Sequence, residues 1–200
     1  MAPHPAKLKI LLVDEDPDRV LRMRAALEAA GCAVVASLSS AGDILASARD
    51  ADPDVVIIET DSPSRDAVES LAFTASAHAR PVVMFTDDTG SAGIRAAVGA
   101  GISAYIVDGL APQRLGPILD LARQRFAADQ SLKQELAASR RALTERKAIE
   151  KAKGVLMRAR GLDEEAAHRM LRKFAMDRGL TLADAAARVL DMDPLLSSSA

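Results

Sequence analysis

The sequence has no tryptophan, one tyrosine and four phenylalanines, so aromatics are only 2% of its 200 residues. That scarcity argues against a binding surface built from rows of stacked aromatic rings, such as a sheet that reads single-stranded RNA. A lone cysteine, Cys32, excludes an internal disulfide framework and fits a reducing compartment. At the start of a strand it reads as a small buried apolar side chain. No run is long and apolar enough to span a bilayer. Met1-Ala-Pro-His-Pro lacks the basic and then apolar pattern of a signal peptide, so a cytoplasmic location is expected.

Motifs of catalysis and cofactor binding are also missing. There is no P-loop, and His4, His78 and His168 stand far apart with no nucleophile motif around them. Asp14, Asp16 and Asp18 open like a calcium loop, but Arg19 stands where the glycine is needed and Ala25 where the closing glutamate is needed. Gly99-Ala-Gly-Ile-Ser-Ala104 spells a dinucleotide fingerprint, yet it follows a helical pattern and precedes a strand, the reverse of what pyrophosphate binding requires. It reads as a helix C-cap turn. No enzymatic activity and no cofactor is expected from these residues.

What is present is enough apolar content for a core, 49% of residues, in a chain long enough for one domain of ordinary size and a smaller module. Short, largely β-branched runs recur at Leu8–Val13, Ala33–Ala36, Val55–Ile58, Pro81–Phe85 and Ala104–Val107. Their near-continuous apolar character suits parallel strands buried on both faces. Between them lie amphipathic stretches, Pro17–Ala30, Ala41–Ala48, Arg65–Ala77 and Ser91–Gly99. Pro17 suits a first helical turn and Gly31 a helix end. The alternation predicts an α/β fold with a doubly wound, five-stranded parallel sheet. In such a sheet, ligands gather at the carboxyl ends of the strands.

Asp14, Glu15, Glu59 and Thr86 fall at that edge, directly after the first strand and at the ends of the third and fourth. The arrangement resembles the receiver domain of response regulators, over roughly residues 7–125, and Pro53-Asp-Val-Val-Ile-Ile-Glu-Thr-Asp-Ser-Pro-Ser-Arg-Asp66 matches its third strand and loop. The resemblance implies a flavodoxin-like fold. It also implies Mg²⁺ held by the acidic pair and by an aspartate that accepts a phosphoryl group, a hydroxyl after strand four, and a lysine after strand five. Two positions depart from it: Glu59 stands in place of the aspartate and Asp108 in place of the lysine. Glutamate is one methylene longer, and a misplacement of about 1 Å can cost ~100-fold in rate. Asp108 adds repulsion where a cation is needed. No aspartyl-phosphate switching is therefore expected, and at most weak Mg²⁺ binding at Asp14, Glu15 and Glu59. Asp61 is expected to point away from the side of the strand that carries Glu59.

From Ala111 to about Arg160 the residues are good helix formers, and a long helix leaving the sheet is predicted. Leu132, Leu136 and Leu143 sit at coiled-coil-like spacing, a weak signal for a homodimer because Ser139 interrupts it. The chain divides into a receiver-like part over 1–120, a helical linker over 121–143, a basic module over 144–192 and a tail over 193–200. Charge follows this division. Residues 1–139 carry 13 Lys/Arg against 19 Asp/Glu, whereas residues 140–190 carry 13 against 7. A basic module on an acidic body suggests a polyanionic partner, the alternative being ordinary solvated helix surface.

Within the module, Ile149, Ala152, Leu156 and Ala159 share one helical face and are expected in the core. Lys147, Lys151, Gly154 and Arg158 form a stripe opposite. Asp163 is the expected N-cap of a helix over Glu164–Arg178, with Ala166, Ala167, Met170 and Phe174 inward and Arg169, Arg172 and Lys173 outward. Thr181-Leu-Ala-Asp184 resembles a capping box opening Leu182–Leu190. Glu145-Arg-Lys-Ala-Ile-Glu-Lys-Ala-Lys-Gly-Val-Leu-Met157, Arg160-Gly-Leu-Asp-Glu-Glu-Ala166 and Leu171-Arg-Lys-Phe-Ala-Met-Asp-Arg178 closely resemble the ANTAR domain, over about residues 140–190. With Glu59-Thr-Asp-Ser-Pro-Ser-Arg-Asp66 and Tyr105-Ile-Val-Asp-Gly-Leu110, the chain is similar to NasT-type regulators of nitrate and nitrite assimilation. That resemblance implies binding to paired hairpins in leader RNA, prevention of terminator formation, and sequestration by a nitrate-sensing protein. The candidate RNA contacts are Lys147, Lys151, Arg158, Arg169, Arg172 and Lys173, flanked by Lys153 and Arg178, with arginine planes doing the stacking in place of aromatics. Two other readings use the same helices: docking of an acidic protein, and DNA binding. The last is disfavoured because the final helix offers only Arg188 as a basic side chain.

Overall fold

The computed structural model describes residues 7–39, 44–61, 80–107 and 112–197. The chain forms two compact units, Met1–Ser131 and Leu132–Ala200.

In the first unit, strands β1 (Lys9–Val13), β2 (Ala33–Leu38), β3 (Val55–Thr60), β4 (Val82–Thr86) and β5 (Ala104–Val107) form one sheet. Every pairing is parallel and the order is β2-β1-β3-β4-β5. The expected class and strand number therefore hold. The strands read as continuous apolar runs because alternate residues feed two separate cores. Ile10, Leu12, Ile57, Val83 and Phe85 pack with Met23 and Leu27 of α1 (Pro17–Ala29) and with Leu115 and Leu119. Leu11, Val13, Val56, Ile58 and Met84 pack on the opposite face with Ala48 of α2 (Ile44–Ala51) and Ala97 of α3 (Ser91–Gly99). Period-two alternation inside an all-apolar strand is what a sheet covered on both faces demands.

Helix α1 starts where the chain leaves β1. Asp16 caps it by accepting the Asp18 and Arg19 N–H groups, and Pro17 opens the first turn at no hydrogen-bond cost. Its end is marked by Gly31 at φ +83°, a conformation that suits glycine. β3 runs on to Thr60, so Glu59 lies inside the strand and not at its end. The helix expected over Arg65–Ala77 lies outside the described residues.

Helix α4 (Pro112–Arg160) is continuous over 49 residues. Its first turns bury Leu115, Leu119 and Ala122 in the first unit, at i, i+4 and i+7. Leu132, Leu136 and Leu143 are all at least half exposed.

The second unit packs the last turns of α4 with α5 (Glu164–Asp177) and α6 (Leu182–Ser197). Its core is Ala152, Leu156, Ala167, Leu171, Ala175, Ala185 and Ala186, covered by Ile149, Met170, Phe174, Leu182 and Val189. The Asp163 carboxylate accepts the Ala166 N–H at 2.7 Å and the Thr181 hydroxyl accepts the Asp184 N–H at 3.1 Å, so both expected caps form.

Three expectations are corrected. Ala159 is exposed and not core. A helical wheel gives a residue's direction but not whether a neighbour reaches that far along the axis, and Leu162 fills that end of the core instead. Leu171 and Ala175 are buried on α5 although the wheel was centred on Met170 and Phe174. α6 continues through Pro194 to Ser197, beyond the expected end at Leu190. Proline withdraws a single N–H from the helix ladder, and here the ladder continues past it.

Candidate functional site

At the carboxyl edge of the sheet, the carboxylate of Asp14 has no solvent exposure. A buried carboxylate requires partners, and a residue outside the expected set supplies them. Arg19, in the first turn of α1, donates from Nε to Asp14 Oδ2 at 3.0 Å and from Nη2 to Asp14 Oδ1 at 2.9 Å. The Asp16 N–H adds a further bond to Oδ1 at 2.9 Å. The remaining arm of the guanidinium, Nη1, bonds and ion-pairs with Asp61. The Asp14 hydrogen bonds raise the Arg19 guanidinium above its ordinary value, so it is charged at every working pH.

Glu59 and Asp61 line one small cavity of about 40 Å³ together with Arg19, Thr86 and Asp87. Asp61 was expected to point away from Glu59. A period of two instead places residues 59 and 61 on the same side of a strand, and Arg19 draws Asp61 in. Burial pushes the Glu59 carboxyl up, Asp14 pushes it the same way, and Arg19 opposes both. The buried Thr86 hydroxyl accepts the Asp88 N–H at 3.1 Å, and Tyr105 donates to the Asp88 carbonyl at 3.0 Å.

Of the expected acidic set, Asp14, Glu59 and Thr86 are thus brought together. Glu15 is exposed and lines, with Asp14, a second cavity beside Pro17 and Leu38. Asp108 lies outside the described residues. These positions do not fit Mg²⁺ well. Both Asp14 oxygens are committed to the guanidinium, and among the described residues no group of three His, Cys, Asp or Glu side chains gathers around one point. The sequence carried one signal for Arg19: a basic residue in the turn that follows the Asp14–Glu15 pair.

In the second unit, Lys147, Lys151 and Arg158 are exposed on α4, and Arg169, Arg172 and Lys173 are exposed on α5, with Arg178 at its C-cap. Gly154 lies on the same stripe. Among the described residues, only the Arg158 guanidinium, 3.7 Å away, would meet a Cβ built there. Arg169 is held by Glu165 one turn earlier. The Arg178 guanidinium lies over the Phe174 ring, 4.7 Å from its centroid. Phe174 is half-buried and packs against the core of this unit, as expected.

Lys153 does not belong to the open face. It is only 7% exposed, and its ammonium ion-pairs with Glu150 at 2.8 Å and Glu164 at 2.7 Å. Its place is between α4 and the first turn of α5, where it neutralises two acids. Those hydrogen bonds raise Lys153 above its ordinary 10.5 and lower Glu164 below its ordinary 4.5. The pair's stability is therefore complete between those two values. It is lost as pH falls through the lowered Glu164 value, and again as pH rises through the raised Lys153 value. Lys153→Ala should lower the melting temperature at neutral pH and flatten its decline on acidification, as followed by thermal melts across pH. A variant with an unchanged melting temperature at neutral pH would refute this structural role.

The parallel sheet, its strand order and the acidic edge define a receiver-type signalling domain, here followed by a basic three-helix unit. Comparison with known proteins gives the same division. A family model for the response regulator receiver domain matches residues 10–120, and one for the ANTAR domain matches residues 137–190. The transcriptional regulatory protein PdtaR of Mycobacterium tuberculosis is 33% identical over 139 residues, 70% of this chain and 68% of that protein. The nitrate regulatory protein of Klebsiella oxytoca is 44% identical over 78 residues, 39% of this chain and 20% of that protein. Among solved structures, the signal receiver domain of a modulated diguanylate cyclase from Desulfovibrio desulfuricans superposes with a TM-score of 0.55 at 18% identity, covering 62% of this chain and 98% of that one. The chain belongs to the response regulators that carry an ANTAR domain.

Proposed function

We propose that this chain is a transcription antiterminator that binds paired hairpins in leader RNA through its second unit, acting by binding and without a reaction of its own. The observation that carries this reading is the exposed basic side chains of Lys147, Lys151 and Arg158 on α4 and of Arg172 and Lys173 on α5, two helices that share one core. Neutralisation of the phosphate backbone needs cations held in register, and two helices with a common core supply that register. Arg178 stacked on Phe174 adds a planar group suited to an unpaired loop base. Family membership supports the same reading. Gel shifts of the full chain with a two-hairpin leader RNA and with duplex DNA test it. Retardation of the RNA alone is expected, and retardation of DNA without RNA would refute it. An acidic protein partner would leave both nucleic acids unshifted.

Nitrate and nitrite assimilation is the proposed regulon, in keeping with the nitrate regulatory protein among the relatives. A separate nitrate-sensing protein is the proposed controller, in place of phosphorylation. Glu59 at the acceptor position, with an ion pair between Arg19 and Asp61 across the cavity, supports this. Incubation with a small phosphodonor and Mg²⁺ should leave the intact mass unchanged, whereas a stable adduct would overturn that part of the proposal. Exposed Leu132, Leu136 and Leu143 on α4 favour a second copy as partner along this helix, in a cytoplasmic homodimer.

A further inference from the structure

We infer that Arg19 is a built-in counter-ion for the buried Asp14, its guanidinium taking up the carboxylate oxygens that a divalent cation at Asp14 would otherwise use, so that this buried charge is offset without any ion from solution.

Three observations carry this. Asp14 is fully buried, so its charge needs a permanent partner, and a guanidinium cannot be deprotonated at accessible pH. The contact is a fork. Nε and Nη2 grip Asp14 after β1 while Nη1 reaches Asp61 after β3, so one side chain ties two strand ends as a shared ion would. Arg19 is itself anchored, because its backbone N–H is capped by Asp16 in the first turn of α1. Glu15, the other acid following β1, is exposed and so is not drawn into the cluster. Arginine suits this task better than lysine, whose compact ammonium cannot grip one carboxylate bidentately and reach a second.

The test is thermal melting of the full chain with and without millimolar Mg²⁺. The wild type should melt at the same temperature in both. Arg19→Gln leaves Asp14 buried without a counter-ion and should melt about 5–10 °C lower. Mg²⁺ should then recover part of that loss, and so should adding Asp14→Asn, which removes the orphaned charge. Arg19→Lys should fall between wild type and Arg19→Gln. A wild-type melt raised by Mg²⁺ would overturn the inference. So would an Arg19→Gln variant indifferent to Mg²⁺, or a double variant no more stable than the single one. If Arg19→Gln does not fold, a folded Asp14→Asn/Arg19→Gln double variant supports the inference and an unfolded one overturns it.

Discussion

Replacing Arg172 and Lys173 together with alanine should weaken binding to a two-hairpin leader RNA by about 10- to 100-fold, with the helical content unchanged. Both side chains are exposed on α5. Neither enters the core of the second unit, which on this helix is Ala167, Leu171 and Ala175 with Met170 and Phe174 around them. Alanine is also a better helix former than either, so the fold has no reason to suffer. The loss arises because each charged hydrogen bond to a phosphate is worth about 1.5–3 kcal/mol, part of which neighbouring cations on α4 recover. Charge neutralisation leaves a second signature. The slope of log affinity against log salt should become shallower by about 1–2, since each phosphate contact contributes about 0.7–0.9. Fluorescence anisotropy at several salt concentrations measures both. Unchanged affinity and slope would move the binding face away from α5.

Leu171→Ala should have the largest effect on stability. Leu171 is fully buried in the core of the second unit, with Leu156 and five alanines. Truncation of such a leucine costs about 2–5 kcal/mol, the sum of lost transfer energy and a cavity that surrounding side chains close only in part. Units of this size hold only a few kcal/mol in reserve. The variant should therefore lose its helical second unit, and with it the proposed RNA binding, at temperatures where the sheet unit stays folded as in wild type. Met176→Ala on the same helix is the control. Met176 is 72% exposed, so its loss should fall within about 0.5 kcal/mol. Equal effects from the two substitutions would refute a core role for Leu171.

Much of this architecture could be read before any coordinates. The five strands announce themselves through short β-branched runs, because a sheet covered on both faces needs apolar side chains at every position and few other elements do. Asp16, Asp163 and Thr181 mark helix starts through local hydrogen bonds that involve residues two or three positions away. Asp14, Glu59 and Thr86 could be placed at one edge because a parallel sheet puts every strand's carboxyl end on the same side. The basic stripe on α4 follows from helical period alone.

What the one-dimensional pattern left undecided is which charges face solvent and which are consumed internally. Lys153 and Lys151 are two residues apart on one helix, yet the first is buried between two glutamates and the second is open to solvent. Glu164 lies one helix further on, and only the packing of α5 against α4 brings it to Lys153. Arg19 and Asp61 are 42 positions apart and meet because β1 and β3 are neighbours in the sheet. Local periodicity determined the elements and their faces, since those depend on residues within a turn or two. The tertiary structure decided the charge pairing, since Coulomb attraction and burial depend on distance in space, which chain separation does not report.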